Sequence, residues 1–261
     1  MTRPDENGVT DKAPHGRVRD DGPSTPPHAH HSGENTPRKQ DFLVAKNLSA
    51  RGPEGEIFSG LTVSAAKSEI VLLVGDSGSG RTSALLTLVG RFHHTGGHLT
   101  LGGHSDPARI RRLSTVATAP PAVDIEPQLT VGQIVTETSI VGAVKERDVW
   151  EMCKILSVRS DSADTYASLP ALEQNILALA LAAAQRTPVI ALDNLDTWTD
   201  AAGMTRLWAA MRQLTDIGRL LLVTALRADR TADAIVRLTR KNGAAETHVV
   251  GPAGLNGRDH Q

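Results

Sequence analysis

Ile70-Val71-Leu72-Leu73-Val74, followed by Gly75-Asp76-Ser77-Gly78-Ser79-Gly80-Arg81-Thr82-Ser83, is the stretch that decides the fold of this chain. A five-residue apolar run rich in β-branched side chains predicts a strand buried on both faces, as in a parallel sheet. Gly75, Gly78 and Gly80 then let the backbone wrap tightly, and Ala84, Leu85, Leu88 and Val89 predict a helix behind them. A glycine loop between strand and helix turns N–H donors and the positive end of the helix dipole toward one point, which suits a phosphate. The spacing is that of the phosphate-binding loop G-x-x-x-x-G-K-[ST], with Arg81 in the place of the lysine. The alternative is a strand-to-helix turn that binds nothing.

Working outward, the 261 residues suffice for one α/β domain with an ample core, alone or with a subdomain. A net charge of -1 argues against an extended nucleic-acid surface while leaving local patches open, so no nucleic-acid partner is expected. The single cysteine, Cys153, excludes an internal disulfide and a cysteine metal cluster, and its helical context predicts a buried thiol. With no apolar stretch of about 18 to 20 residues, direct membrane insertion is not expected.

Residues 1–40 are rich in Pro, Gly, Asp, Arg and His and predict a disordered tail, where His28, His30 and His31 are read as solvated rather than metal-binding. Phe42 to Leu48 and Ile57 to Val63 predict strands around a turn at Gly52 to Gly55, and with Ile70 to Val74 they form an antiparallel opening. His98 to Leu101 and Leu113 to Ala117 predict further strands, and Arg109 to Arg112 a single helical turn. Met204, Leu207, Trp208, Met211 and Leu214 recur at helical spacing as a core stripe. From Lys241 to Gln261 the chain is expected to fray, apart from a short strand at His248 to Val250.

Taken together, residues 41–240 resemble the nucleotide-binding domain of the ATP-binding cassette (ABC) family. Leu129-Thr130-Val131 resembles the opening of that family's helical subdomain, and Val149 to Leu156 the helix before its signature. Pro188 to Asp193 and Leu220 to Thr224 resemble two of its core strands. The fold implied is an α/β phosphate-loop NTPase of ABC type: a mixed sheet with an antiparallel β edge and a small helical subdomain at about 121–172. Gly75, Asp76, Ser77, Gly78, Ser79, Gly80, Arg81, Thr82 and Ser83 become the nucleotide-binding residues, with ATP and Mg²⁺ as ligands. Thr82 and Asp193 would serve Mg²⁺, Asp193 through water; a solvated strand-end aspartate is the alternative.

The same resemblance exposes departures. Asn194 stands where a glutamate orients and activates water, and an amide holds a water but cannot take its proton. Leu169-Pro170-Ala171-Leu172-Glu173 stands in place of the signature Leu-Ser-Gly-Gly-Gln, so that Glu173 would set a negative charge beside a phosphate; Ser168 is expected to cap the following helix. Ala225 replaces a histidine, no glutamine lies near Thr118 to Pro120, and Arg51 stands where an adenine-stacking aromatic is expected. Asp196 and Asp200 fall in the segment that crosses between monomers in the family. Function follows by resemblance: an ATP-binding subunit with weak or absent hydrolysis, docked at the inner face of the membrane on a membrane-spanning transporter subunit. It would pair with another nucleotide-binding domain as a homodimer or heterodimer. An active transport ATPase and a structural subunit without nucleotide are the alternatives.

Overall fold

The computed structural model describes residues 40–195, 201–241 and 244–250. Residues 1–39 of the tail predicted over 1–40, with its histidines, the crossing segment with Asp196 and Asp200, and residues 251–261 lie outside the described residues. Strands β1 (Leu43–Gly52) and β2 (Gly55–Ala65) precede β3 (Ile70–Val74) and α1 (Arg81–Leu88). Then follow β4 (Gly96–Leu101), α2 (Pro107–Arg112) and β5 (Ser114–Thr118). The middle of the chain is helical, with α3 (Val131–Val141), α4 (Glu146–Ile155) and α5 (Ala171–Ala184). The chain then runs through β6 (Val189–Leu192), α6 (Ala201–Asp216), β7 (Leu220–Ala225), β8 (Ala234–Lys241) and β9 (Ala244–Val250).

Two sheets result. β2-β1-β4 is a three-stranded antiparallel sheet, and β5-β6-β7-β3-β8-β9 is a six-stranded one in which only the β8-β9 pairing is antiparallel. This corrects one expectation: β3 does not belong to the antiparallel opening. It lies between β7 and β8, parallel to both, with Leu72 opposite Val223 and Ile235. An apolar run reports burial on two faces but not the identity of its neighbours, which here come from more than a hundred residues downstream.

The period of two along these strands divides the core. Val71 and Leu73 pack with the antiparallel sheet and α1, alongside Phe58, Leu85, Leu88, Ala191 and Leu222. Ile70, Leu72 and Val74 face the other way, toward Ile176, Leu177, Leu207, Met211 and Leu214 of α5 and α6. The core stripe expected on α6 is therefore present, with Met204 packed at its edge. Cys153 is buried in the same cluster, and burial pushes its thiol up to about 11.

Local signals start several elements. Thr130 and Gln133 form a reciprocal capping box at the start of α3, and Asp106 accepts from Arg109 N at 2.9 Å to cap α2. Ser168 does not cap α5, contrary to expectation: Pro170 occupies the cap position without a side-chain bond, and Ser168 Oγ donates to Thr165 O at 2.7 Å. β9 begins at Ala244, so it is longer than the short strand expected at its end.

Candidate functional site

Because β5, β6, β7 and β3 run parallel, their carboxyl ends share one edge of the sheet, where α/β proteins place their ligands. The loop Gly75–Gly80, Thr224–Ala225, Asp193–Asn194 and Thr118 all end there.

The loop's glycines answer different constraints. A Cβ on Gly75 would lie 2.3 Å from Leu238 O and 2.5 Å from Ser79 Oγ, so the approach of the β8 backbone leaves room for hydrogen only. Gly78 and Gly80 have φ of 76° and 84°, the left-handed region that side chains resist. Gly80 is also the N-cap of α1, which has no side-chain cap and no acidic residue in its first turn. The first N–H groups of α1 thus lack the usual local partner, and the positive end of the helix is not neutralised locally.

Two buried polar atoms at the loop have no hydrogen-bond partner: Ser79 Oγ and Arg81 Nη1. Arg81 is only 8% exposed, so its guanidinium is largely withdrawn from water with a donor unused. An orphaned buried donor costs about 1–3 kcal/mol, and more when charged. An anion within hydrogen-bond reach of these atoms would relieve that cost. The residues present therefore fit a phosphate group.

Thr82 joins the loop to the end of β6. Its Oγ1 donates to Asp193 Oδ2 at 2.7 Å, placing a hydroxyl and a carboxylate side by side. Asp193 is 3% exposed, which rules out the solvated strand-end alternative. Its other oxygen, Oδ1, accepts from Thr224 Oγ1, and Oδ2 also accepts from Asn194 Nδ2 at 3.3 Å. Hard oxygen donors of this kind suit Mg²⁺, which takes one or two protein ligands and completes its shell with phosphate and water. No cluster of three or more acidic, histidine or cysteine ligands competes for a metal among the described residues.

Asn194 is held from several directions. Its backbone N–H donates to Thr224 Oγ1 at 2.8 Å, its φ is 56°, and its side chain leans on Asp193. Thr224 thus clamps both Asp193 and Asn194, a role the sequence analysis missed. The available signal was a polar residue closing an otherwise apolar strand. Ala225 follows it, buried and without a polar atom.

A cleft of about 560 Å³ opens beside Asp193 and Asn194, lined also by Asp124, Tyr166 and Asn175. Burial, followed by the charge of Asp124, pushes the Tyr166 phenol up to about 12, so it remains a protonated donor at neutral pH. Asp124 and Asn175 are polar groups in this cleft that sequence reasoning did not single out. Gln174, which lines the cleft, is engaged: its Nε2 donates to Tyr166 O at 2.9 Å and Leu169 O at 3.1 Å, and Gln133 is held in the capping box of α3.

Glu173 departs from its expected role. It is 5% exposed and turned into the fold. Its carboxylate pairs with Arg206 of α6 and accepts from Arg159 N at 2.8 Å. It is a bracket between helices rather than a charge offered to a phosphate. Arg51 is exposed and pairs opposite Glu56 in the β1–β2 hairpin, and Ile57 of that hairpin lies against Gly80.

Comparison with known proteins agrees with this architecture. A family model described as ABC transporter matches residues 58–196. The Nod factor export ATP-binding protein I of Burkholderia orbicola (strain AU 1054) is 23% identical over 209 residues, covering 77% of this chain and 69% of that protein. The protein of the same name from Burkholderia lata is 24% identical over 213 residues, with the same coverage. Among solved structures, the ATP binding subunit of an ABC transporter superposes with a TM-score of 0.65 at 16% identity, over 80% of this chain and 90% of that one. CbiO1 from Clostridium perfringens, part of the ABC transporter complex cbiONQ, gives 0.67 at 14% identity over 81% and 89%. At these identities the solved structures establish the fold alone.

Proposed function

The chain belongs to the ABC transporter family, and on that premise we propose that it is an ATP-binding subunit that holds ATP·Mg at Gly75–Ser83 and hydrolyses it slowly or not at all. The supporting observation is the pairing of a retained cradle with an altered catalytic position. Thr82 and Asp193 adjoin at 2.7 Å, and the next residue, Asn194, is an amide fixed by Thr224 and Asp193. Bound there, Mg²⁺ would supply neutralisation of developing phosphate charge. The chain's own contribution is positional: the loop N–H groups and Arg81 attract the phosphates, Thr82 and Asp193 present oxygens, and Asn194 orients a water without accepting its proton.

Partners follow from family membership. No helix among the described residues is long and apolar enough to cross a membrane, and membership of a transporter family supports pairing with a membrane-spanning subunit. Ile140 and Val141, 74% and 77% exposed at the end of α3, offer that subunit an apolar contact at the cytoplasmic face. A head-to-tail dimer with a second nucleotide-binding domain, identical or different, completes the assembly.

A second reading, active ATPase, draws on Asp124, the carboxylate that shares the cleft with Asn194. Three proteins separate the readings: the native chain, Asn194→Glu and Asp124→Asn. Slow hydrolysis is expected from the native chain, a gain of about ten-fold from Asn194→Glu, and no change from Asp124→Asn. Fast native hydrolysis abolished by Asp124→Asn would establish the second reading. Failure of the native chain to bind ATP at millimolar concentration would remove both.

A further inference from the structure

Between the end of α1 and the start of β5 lies Arg91-Phe92-His93-His94 and, further on, His98, His104, Arg109, Arg111 and Arg112, with Asp106 as the sole acidic residue of residues 91–112. The structure folds this stretch around a cavity of about 230 Å³ whose lining includes Arg91, His93, His94, Ser105 and Arg111 and no carboxylate. Asp106 is committed to capping α2.

Both arginines are fixed in place by neutral acceptors. Arg91 Nη1 donates to Ser114 Oγ at 3.0 Å and to Val89 O at 3.3 Å, and its Nη2 to Ser114 O at 3.1 Å. Arg111 Nη1 donates to Gly90 O at 2.9 Å. These bonds orient the guanidiniums without neutralising them, and neither takes part in the ion pairs found among the described residues. Burial and then the charge of Arg111 hold Arg91 below its ordinary range. His94 is likewise held low, by burial, His93 and His98. The groups facing His94 are therefore cationic or neutral throughout.

We propose that this cavity is a second anion site, built to take a phosphate monoester group between Arg91, Arg111, His93 and His94. Guanidiniums pre-oriented by carbonyls match the tetrahedral oxygens of phosphate, and Ser105 adds a hydroxyl. The site stands at the opposite end of α1 from the glycine loop, about 12 Å away at 1.5 Å per residue, so it is distinct from the nucleotide cradle. A free phosphate, a small ester and a lipid headgroup share this chemistry.

The test reads the imidazole ring resonances of His93 and His94 in the full chain during titration with inorganic phosphate, which separates this cavity from any phosphate held at the loop. A saturable shift is expected, with the pKa of His94 raised and affinity falling about ten-fold in Arg111→Gln. His94→Gln, followed through His93, is expected to weaken binding with the fold unchanged. Rings unmoved by phosphate, or moved equally by chloride at matched ionic strength, would overturn the proposal. Co-sedimentation with vesicles containing phosphatidic acid, absent with pure phosphatidylcholine and lost in Arg111→Gln, assigns the site to a headgroup. A ring shift without co-sedimentation assigns it to a free phosphate ester.

Discussion

The helix that follows the glycine loop begins with a buried arginine, Arg81, whose Nη1 meets no acceptor; the helix that follows Pro170 carries in its first turn a buried glutamate, Glu173, whose two oxygens are both taken. Each side chain is a charge in the first turn of its helix, withdrawn from water. At α1 the protein leaves Ser79 Oγ and Arg81 Nη1 unsatisfied. At α5 it satisfies the charge internally through Arg206 and Arg159 N, and Pro170 removes a donor from the approach. The two helix starts therefore differ in kind: buried polar atoms at the first are left without partners, and the buried charge at the second is satisfied within the fold.

The largest expected effect tests the satisfied side. Glu173→Ala strands Arg206 and should destabilise the fold by about 3 kcal/mol, the cost of breaking a buried pair, measured by urea unfolding. ATP affinity should change less than about two-fold; a large loss of affinity with stability unchanged would break the contrast. Next, Gly75→Ala forces a methyl into Leu238 O. A cost of about 2 kcal/mol is expected, together with loss of ATP binding, measured by thermal shift with and without nucleotide.

Alkaline pH gives an effect of comparable size. Tyr166 titrates near 12 when folded and near 10 when unfolded, so the unfolded chain releases its proton first as pH rises. The stability contributed is fully present below pH 10 and is lost between about pH 10 and 12. Tyr166→Phe should remove roughly 3 kcal/mol of that pH dependence, read from unfolding midpoints across the window. Last, Arg81→Met should stabilise the nucleotide-free protein by about 1 kcal/mol, since it deletes an orphaned buried donor, and weaken ATP binding about ten-fold. Arg81→Met that leaves affinity unchanged would show that the unsatisfied donor is not there for phosphate.

These contrasts also show what the chain reveals before folding. The loop was legible because its signal is local: glycine spacing, a preceding apolar strand and a helical stripe all lie within Ile70 to Val89. The family resemblance and the mixed fold were legible for the same reason, as a succession of short-range patterns. What was not legible depends on distant partners. β3 sits between strands whose sequences begin at Leu220 and Ala234, and no local pattern names them. Thr224 clamps Asp193 across 31 residues of sequence, and Arg206 reaches Glu173 across 33. Ser168 was misassigned because cap preference alone ignores that Pro170, with φ of -54° and ψ of 146°, already sets the entry into α5.

The most direct measurement of whether nucleotide is held rather than split is a single-turnover experiment, with the protein and Mg²⁺ in excess over radiolabelled ATP. The expected result is that the label binds and remains intact as ATP, with a rate below about 0.01 per second, far under the roughly 10 per second of an ordinary enzyme. Bound label appearing as ADP and phosphate at an ordinary enzymatic rate would contradict it.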